Sequence, residues 1–325
     1  MSMMARVRVH APATLSKLGP GVDVLGLAVE QPGDYVEAEW SDTPGVEIVE
    51  VRGDSGRLTT DPTRNVVGIA ATAALLAFDA RKTDRRPPGV RLWLDKRMPL
   101  ASGLGSSAAS SVGGVLAVSE LLGGVFDRNE LIACALEGER VVSGGVHADN
   151  VAPCVAGGIV LIRSYTPMEL LSLPVPDALR VAVVHPHVSV VTAEARRLVT
   201  EHRFAIVQVV ANLGQLGALV TALHRGDLEL FGRAISDELV EPIRAPLVPG
   251  FADVKQTALE AGALGCSLSG SGPSVFAFAS SDDQAAGLAV CMAARFREVA
   301  GLQSDTYVGR VNTRGARRVE ADEDE

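Results

Sequence analysis

The chain has little cysteine. Its 325 residues include four, Cys134, Cys154, Cys266 and Cys291, far apart and with no C-x-x-C pair among them. That spacing excludes the common zinc sites and points to reduced, buried thiols. Long hydrophobic runs are missing as well, none reaching the roughly 18 residues a membrane span needs. The start, Met-Ser-Met-Met-Ala-Arg, carries no apolar segment. No signal peptide and no membrane partner are expected, which makes a cytoplasmic location the default. Basic charge is scarce: 30 Lys and Arg stand against 39 Asp and Glu, a formal net charge of −9. A nucleic-acid partner, which needs a basic face, is therefore not expected. The common nucleotide loops are missing too. No G-x-x-x-x-G-K-[ST] occurs, so this is not a P-loop protein, and Gly103 and Gly105 are not followed by the third glycine of G-x-G-x-x-G.

What is present is a well-buried apolar content of 47%, in a chain long enough for one large or two medium domains. Its most informative run is Pro99-Leu-Ala-Ser-Gly-Leu-Gly-Ser-Ser-Ala-Ala-Ser-Ser111. Ser102, Gly103 and Gly105 let a backbone approach a ligand closely. Ser106 and Ser107 then open a helical stretch, whose free N–H groups and dipole make an anion site suited to a nucleotide polyphosphate.

Alternation predicts strands at Arg6–His10, Tyr35–Trp40, Val46–Val51 and Val90–Leu94, then at Gly157–Arg163, Leu179–His185, near Cys266, at Val275–Ala279 and at Thr306–Val311. Helices are expected at Asn65–Asp79, Leu104–Leu122, Arg128–Ser143, Ala193–Val199, Ala205–His224, Phe251–Ala261 and Gln284–Ala300. From Ser164 to Asp177 three prolines interrupt the periodicity, which marks a domain boundary. The expectation is an α+β fold of two domains, residues 1–168 and 169–319, with a nucleotide between them and a solvated acidic tail at 320–325.

Three blocks carry a family resemblance. Ala11-Pro-Ala-Thr-Leu-Ser-Lys-Leu-Gly-Pro-Gly-Val-Asp-Val-Leu-Gly26 resembles the first motif of homoserine kinases. The loop at 99–108 resembles the phosphate loop of the wider galactokinase, homoserine, mevalonate and phosphomevalonate kinase superfamily. Gly265-Cys-Ser-Leu-Ser-Gly-Ser-Gly-Pro-Ser274 is similar to that family's C-terminal glycine loop. The resemblance implies ATP-dependent phosphorylation of the homoserine side-chain hydroxyl, on the route to threonine. Alternatives are a kinase for another small hydroxy acid or amino alcohol such as threonine, and a non-catalytic ligand-sensing homologue. A homodimer is left open, with no interface legible.

By the same resemblance, Asn65, Lys96, Pro99, Ser102, Gly103, Leu104, Gly105, Ser106, Ser107, Ser271 and Gly272 face ATP, and Ser107 with Glu139 holds Mg²⁺. Hard oxygen ligands suit that ion, which keeps several of its waters. Asn65 is equally a helix N-cap by its position, and Glu139 beside Arg140 equally a solvated helix acid. The acceptor positions map to Asp23, His147 and Asp149 at one end and to Arg196 and Arg244 at the other, with Thr192 by the transferred phosphate. Opposed charges of this kind fit the ammonium and carboxylate of an amino acid, and arginine bonds a carboxylate through two nitrogens at once. Asp149, Thr192, Arg196 and Lys17 are placed at the reaction centre. Lys17 stands where the family carries asparagine. Its ammonium is expected on the γ-phosphate, on the acceptor hydroxyl, or paired with Asp149 or Asp23; a different acceptor is the further alternative. His185 and His187 lack a third ligand and read as a strand end rather than a metal pair.

Overall fold

The computed structural model describes residues 6–81, 88–143 and 148–320. Two sheets organise them. The first has seven strands, β1 (Arg6–Lys17), β2 (Gly21–Ser41), β3 (Val46–Arg52), β4 (Gly89–Asp95), β5 (Ile159–Tyr165), β6 (Met168–Leu173) and β11 (Arg317–Val319). The second has four, β7 (Arg180–Pro186), β8 (Gly265–Leu268), β9 (Val275–Ala279) and β10 (Ser304–Arg310), in the order β10-β7-β9-β8. All pairings are antiparallel except that of β3 with β4.

Both β1 and β2 run longer than alternation predicts. β2 pairs with β5 through Leu25–Leu27 and with β4 through Tyr35–Ser41, so one strand serves two neighbours. Gly26 and Gly33 read as breaks in the sequence, yet they are sites of close approach. A Cβ on Gly26 would stand 1.8 Å from the Asp149 carbonyl oxygen, and one on Gly33 2.1 Å from His10 Nε2. The segment expected to separate the domains is the β5–β6 hairpin, with Ile159 to Tyr165 registered against Met168 to Leu173. The expected division after residue 168 thus falls inside a hydrogen-bonded pair of strands. β11 returns to pair with β1, joining the end of the described chain to the first sheet.

Of helices α1 (Val66–Asp79), α2 (Ser106–Leu121), α3 (Arg128–Ser143) and α4 (Ala148–Ala156), α2 and α4 pack against β1 and β2, and α1 and α3 pack on α2. α2 is buried nearly all round, which is why its sequence shows no apolar stripe. Its small residues let neighbours come close: a Cβ on Gly114 would lie 2.6 Å from the Val67 carbonyl oxygen of α1.

The later helices are α5 (Thr192–Glu201), α6 (Ile206–Arg225), α7 (Leu228–Arg233), α8 (Glu241–Arg244), α9 (Phe251–Glu260) and α10 (Asp282–Ala300). The second sheet alternates between two cores. Val181, Val183, Phe276 and Phe278 join the large core that continues from the first sheet. Ala182, Val184, Val275 and Ala277 face α9 and α10 in a smaller one. One helix corrects the sequence reading. α6 is long and apolar enough to cross a membrane by length and composition, with a mean hydropathy of 1.7. It buries Asn212, Leu219, Ala222 and Leu223 and exposes Ile206, Val207, Val210 and Leu213. The four thiols are free, three buried and Cys291 partly so.

Candidate active site

A cleft of about 330 Å³ opens where the three sequence motifs meet. Gly105 caps α2 with φ +67° and offers no side-chain cap, so the first-turn N–H groups are left for a ligand. A Cβ at Gly105 would lie 2.1 Å from Thr14 Oγ1, and one at Gly103 2.5 Å from the Ser269 carbonyl oxygen. Only glycine fits either place. The third motif braces this loop: Ser269 Oγ donates to the Gly103 carbonyl at 2.6 Å, and the Ser274 N–H donates to the Ser102 carbonyl at 3.1 Å. The first motif joins where the Gly270 N–H donates to the Ser16 carbonyl at 3.3 Å.

Ser102, Gly103, Gly105, Ser106, Ser107 and Ser271 line the cleft, with Asn65 and Lys96. Pro99, Leu104 and Gly272 are not among the lining residues. Leu104 turns its side chain into the core, and Gly272 supplies the left-handed turn behind Gly103. Asn65 is the N-cap of α1. Its side chain accepts from the Val67 N–H at 3.2 Å and donates to the Thr59 carbonyl at 2.7 Å. Its cleft position and its capping role therefore coexist.

Lys96 is buried and fully engaged. Its ammonium donates to Asp34, to the Ser106 carbonyl (2.9 Å) and hydroxyl (2.7 Å), and to the Ser110 hydroxyl (3.1 Å). Asp34 also accepts from the backbone N–H groups of Arg97 and Met98 at 3.0 and 3.1 Å. The pair fixes the first turn of α2 to the end of β4. Sequence reasoning missed Asp34. The available signal was a carboxylate in a strand otherwise buried, since such a charge demands a cation.

Glu139 comes from α3. Gly138 beside it packs against α2, where a Cβ would stand 2.5 Å from Ser111 Oγ, and this contact brings Glu139 to the cleft wall. The Ser107 hydroxyl lies beside its carboxyl in the cleft wall and favours the ionised form. Burial raises it from the ordinary carboxylate value to about 7, against the lowering pull of Ser107 and Lys96. A buried carboxylate beside a hydroxyl, both at the open end of a helix, is a hard-oxygen donor pair that fits Mg²⁺. Among the described residues no group of three His, Cys, Asp or Glu gathers for a metal. His185 meets Ser274 Oγ at 3.1 Å, and His187 meets Asp305 at 3.1 Å.

At the other end stand the opposed charges. Asp149, in the first turn of α4, is buried. Burial first, then the Asp23 charge, raise its carboxyl to about 7, while Arg196 and Arg244 pull it back. Arg196 meets Asp23 at 3.3 Å. Arg244 donates to the Gly270 carbonyl at 2.9 Å, and its buried Nε meets no acceptor among the described residues. Thr192 Oγ1 lies 3.4 Å from Ser271 Oγ, at the seam between the two ends. Asn150, which sequence reasoning passed over, accepts from Thr14 Oγ1 at 2.9 Å and ties α4 to the first motif. His147 lies outside the described residues. Lys17 departs from every expected pairing: its ammonium donates to Asp237 at 2.9 Å and to Ser267 Oγ at 3.4 Å, not to Asp149 or Asp23.

The uncapped start of α2, Glu139 with Ser107, and the charges of Asp23, Asp149, Arg196 and Arg244 line one cleft, an arrangement that fits a small-molecule kinase. Residues 67–158 match the GHMP kinases N terminal domain and residues 219–298 the GHMP kinases C terminal. A protein of Chloroherpeton thalassium named homoserine kinase is 41% identical over 97% of this chain and 99% of its own. One of Arabidopsis thaliana with the same name is 42% identical over 96% of this chain and 84% of its own. The crystal structure of homoserine kinase from Cytophaga hutchinsonii superposes with a TM-score of 0.92 at 45% identity, over 98% of this chain and 99% of that one. The chain belongs to the homoserine kinase family of the GHMP kinases.

Proposed function

We propose that this protein transfers the γ-phosphoryl group of ATP to the side-chain hydroxyl of L-homoserine, giving O-phospho-L-homoserine for threonine synthesis. The carrying observation is the cleft itself, which joins the uncapped α2 N-terminus to a site with buried Asp149 at one side and buried Arg244 at the other. Asp149 and Asp23 take the ammonium, while Arg196 and Arg244 take the carboxylate. The phosphates lie on the N–H groups of Ser106 to Ala108, cradled by Gly103 and Gly105. Glu139 and Ser107 would hold Mg²⁺, which when bound would neutralise phosphate charge. The acceptor oxygen attacks the γ-phosphorus in line, its bond to phosphorus forms as the bond to ADP breaks, and its proton leaves to water. A loose transition state makes a strong general base dispensable. The hydroxyl of Thr192, beside Ser271, steadies the group in transit.

The test is ADP release by the purified protein with Mg-ATP and homoserine, threonine, mevalonate or shikimate in parallel. Turnover on homoserine above the other three is expected. Equal or greater turnover on another acceptor overturns the acceptor assignment, and ATP binding without turnover on any overturns the catalytic reading.

A further inference from the structure

The residue that departs from the family motif sits in a strained place. Lys17, Leu18 and Gly19 have φ of +78°, +45° and +77°, three successive left-handed residues of which two carry side chains. Such backbone persists only where surrounding structure over-determines it. Here two things hold it. A Cβ on Gly19 would lie 3.1 Å from the Ile235 backbone, so the turn is pressed flat on the segment before Asp237. Asn212 of α6 donates to the Pro20 carbonyl at 2.8 Å, fixing the far side. The turn then delivers Asp23, itself at φ +58°, to the acceptor end of the cleft.

Asp237, in the segment before α8, faces the turn. One of its oxygens accepts from the N–H groups of Leu239 (2.9 Å) and Val240 (2.8 Å), the other from the Glu241 N–H (2.9 Å) and Lys17 Nζ (2.9 Å). It thereby gathers the N–H groups that open α8, and α8 ends on Arg244. Glu241 anchors the same helix to the second sheet through Ser267 and the Leu268 N–H, and to α9 through Lys255. Both partners of the Lys17–Asp237 pair have side chains only 1% exposed. The sole cation on Asp237 among the described residues is Lys17.

We propose that Lys17 is a positioning residue: through Asp237 it clamps the turn bearing Asp23 to the helix bearing Arg244, and so sets the spacing between the ammonium and carboxylate ends of the acceptor site. This rests on the homoserine reading above. A direct contact between Lys17 and the reacting phosphate is a different role with a different kinetic signature. Lys17 also reaches Ser267 of the third motif at 3.4 Å, but the phosphate loop is held by Lys96, Ser269 and Ser274, so loss of the clamp acts on the acceptor's binding.

The experiment is steady-state kinetics on the full chain as parent, Lys17→Met, Asp237→Asn and the double variant, each checked for folding by thermal melt and for ATP binding. Each single change is expected to raise the homoserine KM at least 20-fold, with kcat within about threefold and the ATP KM unchanged. The double variant, with neither charge, should recover to within about fivefold of the parent KM, because the amide oxygen that Asp237→Asn leaves in place still caps α8. A kcat loss of 100-fold or more at unchanged homoserine KM, not rescued in the double variant, overturns the clamp in favour of direct contact. If Lys17→Met alone fails to fold, the double variant decides: near-parent KM supports the proposal and a 20-fold rise overturns it. A parent inactive on homoserine overturns the acceptor reading instead, a result visible before any variant is compared.

Discussion

Asp149 is a carboxylate whose burial makes it hold its proton tightly, and that has a measurable consequence. Its group is raised from an ordinary 3.8 to about 7, through burial first and the Asp23 charge second. A shift of about three units corresponds to roughly 4 kcal/mol of interaction favouring the neutral form. The sign follows from linkage. Between about pH 4 and pH 7 the unfolded chain has released this proton and the folded chain keeps it, so stability falls as pH rises. The contribution is intact below pH 4 and gone above about 7. Asp149→Asn removes the titration while keeping the shape. Urea unfolding of the ligand-free protein at pH 5 and pH 8 should show the parent losing more stability than the variant, by an amount on the order of 2–3 kcal/mol for this interval. Homoserine, whose ammonium pairs with the ionised form, should restore the parent at pH 8 and not the variant. In kinetics, Asp149→Asn should raise KM far more than it lowers kcat. Parallel pH-stability curves for parent and variant, or a variant still stabilised by homoserine, would refute the reasoning.

Three further outcomes are expected. Lys96→Met strands the Asp34 carboxylate in the core, which should cost about 3–5 kcal/mol in urea unfolding, with partial recovery in Lys96→Met/Asp34→Asn. Glu139→Gln should lower kcat/KM by roughly 100-fold or more at fixed Mg²⁺. In the parent, the Mg²⁺ requirement should ease as pH rises through about 7, the value to which burial lifts Glu139, because metal and proton compete for that carboxylate; in the variant it should not depend on pH. Gly105→Ala places a Cβ 2.1 Å from Thr14 Oγ1 at φ +67°. It should raise the ATP KM about tenfold and cost about 1–3 kcal/mol in thermal unfolding.

The two ends of the cleft were legible in the sequence for different reasons. Gly103, Gly105, Gly270 and Gly272 announce themselves because a left-handed or closely approached backbone admits little else, and Ser106 and Ser107 because a helix follows. Glu139, Asp149 and Arg244 needed the family motif, since an acid or arginine has no local signature of burial. The clamp and anchor partners were not legible at all. Lys17 finds Asp237 across 220 positions, and Lys96 finds Asp34 across 62. Such pairs are set by how sheets and helices dock, which no local period encodes. The same holds for β2. Its glycines look like punctuation until α4 and His10 are seen pressed against them.

Strain is unevenly distributed in this fold, and its distribution follows the chemistry. Among the described residues, five other than glycine have positive φ, and four of them, Lys17, Leu18, Asp23 and Ala101, belong to the turns that build the cleft. Each costs on the order of 1–3 kcal/mol, so the turns are not their own support. The support is in the buried charges behind them: Lys17 on Asp237 beneath the first motif, Lys96 on Asp34 beneath the second, Arg244 on the Gly270 carbonyl beneath the third. A buried ion pair is a weak source of stability against an apolar alternative but a severe one to break, and it tolerates little displacement of either partner. That property suits a site where an acceptor hydroxyl must be held in line with a phosphate, since a misplacement of about 1 Å there costs about 100-fold in rate. On the clamp proposed above, the two buried lysines serve the geometry of the cleft through the carboxylates they hold.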